Sequence, residues 1–231
     1  MLRAVATCDF IQSRELDKDH RKQVRDFLRN SYQIARKSFS KDTIEKLSFR
    51  VVEGDEFQIV INDPIVSYKF ILLLRNHINI SDDNIKYNFR CSIGIGTIAI
   101  DSSRSTYGMD GEAFHLSRDG LEDFENDKDK SRNRMTIITT EFFETNDDIN
   151  TVCGFLDMIE LHWSYKQKQI IHWLLRGKNV NEISNRLNRS KPSIYRSIQR
   201  ARWKQFESGM DFIEEKIKLY INEIYDAIHG T

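Results

Sequence analysis

The sequence predicts an α+β or α/β domain over residues 1–147, followed by an all-α domain over residues 148–231. Three observations lead there. Apolar runs of strand length alternate with amphipathic stretches of helical period as far as residue ~145. Beyond that point strand signals stop and five helical stretches follow. Positive charge, balanced over the whole chain, gathers in the second part.

Residues Ala4 to Ile11 form a short apolar run with Asp9 near its end, a buried strand. Val24, Phe27, Leu28, Tyr32 and Ile34 give residues ~17–38 the pattern of an amphipathic helix. Leu47 to Glu53 and Glu56 to Ile61 read as two strands joined at Gly54-Asp55, a hairpin. Asp63 suits a helix N-cap and Pro64 a first helical position, for a helix reaching about His77. Phe89 to Ile100 predicts a long strand, Glu112 to about Glu122 a helix, and Arg134 to Thr139 a last strand. The order β-α-β-β-α-β-α-β implies one sheet with helices on one or both faces. Helices are then expected over ~150–162, ~164–176, ~180–188, ~191–204 and ~206–228.

A hydrophobic fraction of 39%, with 11% aromatics, suffices for packed cores and excludes wholesale disorder. Two Pro and ten Gly exclude collagen-like and Pro-rich linker chains. Cys8, Cys91 and Cys153 are isolated, with no CxxC, so they read as buried free thiols of a reducing, cytoplasmic protein. The opening MLRAVATCDF lacks a signal-peptide pattern, and apolar runs such as Phe70 to Leu74 are too short to span a bilayer, so no membrane partner is expected.

Between Glu160 and Lys204 there are eleven Lys/Arg against two Glu, an excess of nine that the rest of the chain cancels. A basic segment on an acidic body calls for an anionic partner, nucleic acid first. Within it, NVNEISNRLNRSKPSIYRSIQRAR predicts a short helix with Ile183 and Leu187 inward, a turn at Asn188-Arg189, and a second helix capped by Ser190 with Pro192 at its second position. Ile194, Ile198 and Ala201 form the inner seam of that helix. Lys191, Ser193, Arg196, Ser197, Gln199, Arg200 and Arg202 lie on the other face. Arg and Gln read base edges while Ser190, the other serines and Lys191 hold phosphate, so duplex DNA is the expected partner. Ile170, Ile171, Leu174 and Leu175 of the preceding helix supply its packing partner. The plainer alternative is a solvated basic face on a helical bundle. The segment resembles the helix-turn-helix of sigma-factor region four and of response-regulator output domains. In the last helix Phe206, Met210, Ile213, Ile217, Tyr220, Ile224 and Ile228 follow a near-heptad spacing, which serves either packing onto the body or a homodimer contact.

The first part of the chain carries a second candidate site. Asp9 ends a strand, and Asp55 and Glu56 lie in a hairpin turn beside Gly54, where carboxylates from neighbouring strands can share Mg²⁺. Gly54 lets a phosphate approach the backbone. The runs ATCDFIQSR, EGDEFQIVI, RCSIGIGTI and GEAFHLSRDG resemble, in order, the palm-type domain of nucleotide cyclases and GGDEF diguanylate cyclases. That resemblance implies a ferredoxin-like palm with Asp9 and either Asp55 or Glu56 as metal ligands and the Phe10 carbonyl as a further one. It also puts Arg118 in the place of a nucleotide-phosphate contact, while Ser13, read by itself, serves either a phosphate contact or a cap. Glu53 stands where the family has the first Gly, and Arg118 where it has Lys, a different phosphate contact.

Over nearly its whole length the chain resembles the SatD family, through CDFIQSRELD, GDEFQ, RCSIGIG and DGEAFHLSRDGL. The expectation is a DNA-binding regulatory protein whose first domain senses Mg²⁺ and a nucleotide. The alternative is an active nucleotidyl cyclase or polymerase-like enzyme.

Overall fold

The computed structural model describes residues 2–11, 18–40, 43, 49–51, 56–81, 88–99, 109–126 and 134–230. Five strands form one mixed sheet: β1 (Arg3–Phe10), β2 (Phe49–Val51), β3 (Glu56–Ile61), β4 (Phe89–Gly96) and β5 (Thr136–Thr139), in the order β2-β3-β1-β4-β5. All neighbours are antiparallel except β4 and β5, which run parallel. Helices α1 (Lys18–Arg36), α2 (Ser67–Ser81) and α3 (Glu112–Asn126) alternate with the strands, so the element order follows the sequence expectation. Five more helices follow: α4 (Phe143–Leu161), α5 (Tyr165–Leu175), α6 (Val180–Leu187), α7 (Lys191–Arg200) and α8 (Trp203–His229). No helix among the described residues is long and apolar enough to cross a membrane.

Strand alternation sorts the sheet into two unlike faces. Ala4, Ala6, Cys8 and Phe10 of β1 share one face with Phe57, Ile59 and Ile61 of β3 and with Phe89, Cys91, Ile93 and Ile95 of β4. This face is apolar and buried under Leu28 and Tyr32 of α1 and Phe70 and Leu74 of α2. Edge-on aromatic pairs organise it, with the Phe57 and Phe89 rings 5.1 Å apart at 76°. Cys8 and Cys91 face each other across the strands as buried free thiols, as does Cys153 elsewhere in the core, and burial pushes the Cys8 thiol well above its usual range.

The other face carries small and polar residues, and α3 lies on it. Thr7 hydrogen-bonds Ser117 at 2.8 Å, and the Gln58 amide donates to Thr7 at 3.2 Å. Gly94 has no side chain to hold α3 away: a Cβ there would collide with the Ala113 carbonyl oxygen and the Ser117 amide nitrogen. We expect Gly94→Ala to destabilise the chain by about 1–3 kcal/mol, since only a backbone shift relieves the clash. Thermal unfolding of the variant, with Gly154→Ala as the control, reads this directly. A Cβ at Gly154 meets nothing within 4 Å.

Asp63 accepts a hydrogen bond from the Ile65 amide at 3.1 Å, the expected cap with Pro64 following it. It opens a 3-10 turn, Pro64–Val66, and α2 proper starts at Ser67 and runs four residues beyond His77. The division expected at 147/148 falls inside α4. That helix begins at Phe143 because Asn146 and Thr140 tie its first turn to the end of β5: the Thr140 amide donates to Asn146 Oδ1 at 2.7 Å, and Asn146 Nδ2 donates to the Thr140 carbonyl at 2.9 Å.

One apolar core joins the sheet to the later helices, taking in Ile149, Cys153 and Leu156 of α4, Ile171 of α5, and Phe206, Met210, Ile213, Ile217 and Tyr220 of α8. The near-heptad seam of α8 therefore faces its own chain over these five positions, and only Ile228 stands exposed. At the centre of the joint, Arg75 of α2 is 1% exposed. Its guanidinium donates to Glu160 of α4 at 2.9 Å, to the Met135 carbonyl at 3.0 Å and to Thr136 at 3.0 Å, and lies 5.0 Å from the Phe89 ring centroid. Asp157 accepts from the Met135 and Thr136 amides at 2.6 and 3.0 Å. Burial pushes its carboxyl up to about 7, against the pull of Arg75 and those amides.

A second seam joins α2 to α5. Tyr165 donates to the Ile80 carbonyl at 3.1 Å and Lys168 to Asn79 at 3.0 Å, and beside them Arg176, at the end of α5, donates to Ser38, just after α1, at 3.1 Å. The rings of His77 and His172 lie 5.1 Å apart in this seam. Burial, with Arg176 beside them, lowers His77 to about 4 and His172 to about 3. Both rings are neutral in the folded chain, whereas an unfolded chain protonates them below pH ~6.5. Their contribution to stability is present above that pH and is lost as the pH falls toward 4. Asp157, with its raised value, slopes the opposite way between about 4 and 7. The ring is therefore isolated by substitution: going from pH ~7.5 to ~5, His172→Leu should gain about 2 kcal/mol relative to the wild type. Urea titrations at the two pH values measure it.

Candidate functional site

The sequence-predicted residues fall into two places. The first is the end of the sheet where β1 finishes and β3 and β4 begin. Register sets Asp9 directly opposite Glu56 on one side and Arg90 on the other, so the three form a row across adjacent strands on the face that carries α3. Arg118 of α3 reaches down to this row and donates to Glu56 Oε2 at 2.9 Å. Glu56 Oε1 is buried with no hydrogen-bond partner among the described residues. The Phe10 side chain turns away into the aromatic core. Asp55, Gly54 and Ser13 lie outside the described residues.

The structure thus brings together Asp9, Glu56 and Arg118 of the predicted set. It adds Arg90, which no local pattern singled out, because only the strand register puts it beside Asp9. Arg118, expected on phosphate, here holds a carboxylate. Two carboxylates on neighbouring strands with one buried, unpartnered oxygen are a hard-oxygen donor set that suits Mg²⁺. A phosphate could draw Arg118 away from Glu56, since Arg pairs with either anion.

The second place is built by α5, α6 and α7 around Ile170, Ile183 and Ile194, with Trp173, Leu174, Leu187 and Ile198 half-buried against them. The starts of α5 and α6 are fixed locally. Ser164 and Gln167 form a reciprocal capping box on α5, and Asn179 and Glu182 form one on α6. Between α6 and α7 the chain turns through Asn188, whose φ of 49° and ψ of 48° are left-handed, a conformation Asn tolerates better than most residues. The Ser184 hydroxyl donates to the Arg189 carbonyl at 2.5 Å, and the Arg189 guanidinium donates to Gln169 at 2.9 Å. The three-residue turn is therefore tied to both α5 and α6.

Ile194 is buried, which turns the opposite side of α7 outward. Ser190, Lys191, Arg196, Gln199, Arg200 and Arg202 are exposed, as expected. Two details differ. Ser190 occupies the N-cap position but its hydroxyl makes no capping bond. Ser193 and Ser197 are half-buried, one position too near the Ile194 and Ile198 seam to stand on the open face. Tyr195, which the sequence reading passed over, is 59% exposed and stands between Lys191 and Gln199 at four-residue spacing. That spacing was the available signal.

At the far end of α7, Trp163 donates its indole N–H to the Ala201 carbonyl at 2.9 Å, and Arg202 takes a left-handed φ of 53° to start α8. This corner projects Arg200, Arg202 and Lys204 outward together. Trp203 is buried and stacked on Phe206 at 6.0 Å, a packing residue.

No curated protein matches the chain. The family profile described as the SatD family matches residues 4–213, which takes in the sheet, the charged row on it, all of α7 and the first part of α8. This mixed α+β chain, with both of its candidate sites inside the matched region, belongs to the SatD family.

Proposed function

We propose that this protein is a DNA-binding regulator: α6 and α7 act as a helix-turn-helix on duplex DNA, and the charged row on the sheet acts as a sensor for Mg²⁺ and a nucleotide. The observation that carries the reading is the open face of α7. Lys191, Arg196, Gln199 and Arg200 line one side of a helix whose other side is anchored by Ile194. An α-helix measures about 10–12 Å across with its side chains, which fits a major groove about 12 Å wide. Arg and Gln are the side chains that pair bidentately with guanine and adenine. The excess of nine positive charges between Glu160 and Lys204 supplies the attraction to phosphate.

The sensor half draws its support from the donor set. Asp9 and Glu56 would hold Mg²⁺, with the Phe10 carbonyl as a further oxygen, and Arg118 would exchange Glu56 for a nucleotide phosphate. Bound Mg²⁺ would supply charge neutralisation for that phosphate. The sensor has a direct mechanical path to the DNA-binding half, since α2 packs on the sheet and bonds to α5 through Tyr165 and Lys168.

Fluorescence anisotropy with labelled duplexes at ~50 mM salt tests the first half. We expect dissociation constants in the micromolar range or tighter, and no binding at that salt contradicts the reading. Calorimetry with ATP, GTP and their monophosphates, each with and without Mg²⁺, tests the second half. Heat that requires both the metal and the nucleotide supports it. Product formation in the same mixtures would make the row catalytic, the activity of a nucleotidyl cyclase.

A further inference from the structure

We infer that Tyr195 is a sequence-discriminating side chain of α7, set to meet a base edge, while Arg202 and Lys204 on the α7–α8 corner take the flanking phosphates. The inference rests on the DNA reading above and divides that site into a part that reads and a part that holds.

Tyr195 occupies the middle of the open face, four residues after Lys191 and four before Gln199, with Arg196 and Arg200 on the adjoining ridge. The other exposed residues of α7 are polar or charged, apart from Pro192. Among the described residues no hydrogen bond or ring contact holds the Tyr195 side chain, so the fold gives it no work. Its ring has two apolar faces and a hydroxyl that both donates and accepts. These suit a thymine methyl and a base-edge heteroatom. Being uncharged, it releases no counterions, so its removal leaves the salt dependence of binding in place.

Tyr195 also forms one wall of a groove of about 910 Å³ between α7 and the start of α8. Gln199, Arg200, Arg202 and Lys204 line the groove, and the indole of Trp203 contributes to it from a buried position. The left-handed turn at Arg202 changes the chain direction so that Arg202 and Lys204 stand beyond the end of α7 instead of continuing its face. Cations placed there lie beside the base-reading face, where a strand backbone borders the groove that a helix enters.

The test is selection from a duplex pool with a randomised core by three full-length chains: wild type, Tyr195→Ala and Arg202→Ala/Lys204→Ala. Each is then measured on the selected duplex and on a scrambled one across a salt series. The Tyr195 variant should lose roughly tenfold in the ratio of selected to scrambled affinity, with its salt slope unchanged. The double variant should keep the ratio and lose about two units of slope. An unchanged ratio in Tyr195→Ala, or a wild type without preference, overturns the inference and leaves DNA binding standing. A wild type that binds no duplex at all removes the reading it rests on.

Discussion

On the proposed reading, replacing Arg196 and Arg200 together by Ala should lower the affinity of the intact chain for duplex DNA by about 30-fold or more, the sum of two contacts worth about 1–3 kcal/mol each. Both side chains are exposed on α7 and neither anchors the helix, which is held from the other side by Ile194 and Ile198. Stability should therefore move by less than about 0.5 kcal/mol. The two measurements separate loss of a surface from loss of a fold: anisotropy titrations report the first and urea unfolding the second. The opposite pattern comes from the turn. Arg189 donates to Gln169 and to the Lys166 carbonyl, so it ties the turn between α6 and α7 to α5.

Arg75→Leu is expected to cost about 3–5 kcal/mol, enough to unfold much of a marginal chain. The substitution leaves Glu160 and Asp157 buried without their cation, and it removes the donors to the Met135 carbonyl and Thr136. Glu160→Leu in the same chain should restore part of the loss, because an uncompensated buried charge is more costly than an apolar replacement of the pair. Urea midpoints of the single and double variants measure both steps. The joint also carries a functional consequence. Arg75 links α2, α4 and β5, so the sheet and the helices that follow it loosen together when it is removed.

Local pattern made the element order legible, because alternation, helical period and the Asp63-Pro64 start are all local signals. Features that depend on distant partners were not legible. The beginning of α4 is set by Thr140 and Asn146 closing on each other, in a stretch whose polar composition reads as linker. Arg75 sits inside the run FILLLRNHI, and nothing nearby announces that Glu160, 85 residues later, will neutralise it. Arg90 looks like the polar side of a strand until the register places it beside Asp9. The basic face of α7 was readable because one helix carries all of it, whereas the row on the sheet needs three strands and α3 to assemble. Tyr195 lay in plain view at the right spacing. An aromatic in an amphipathic segment reads first as core, although the Ile194, Ile198 and Ala201 seam already turns Tyr195 to the other side.

The central claim is that α7 and its corner meet a phosphate backbone, and the salt dependence of duplex binding tests it most directly. With Lys191, Arg196, Arg200, Arg202 and Lys204 as the available cations, the logarithm of the association constant should fall against the logarithm of salt with a slope of about −3 to −5. A slope near zero, or no duplex binding at the lowest salt, would contradict it.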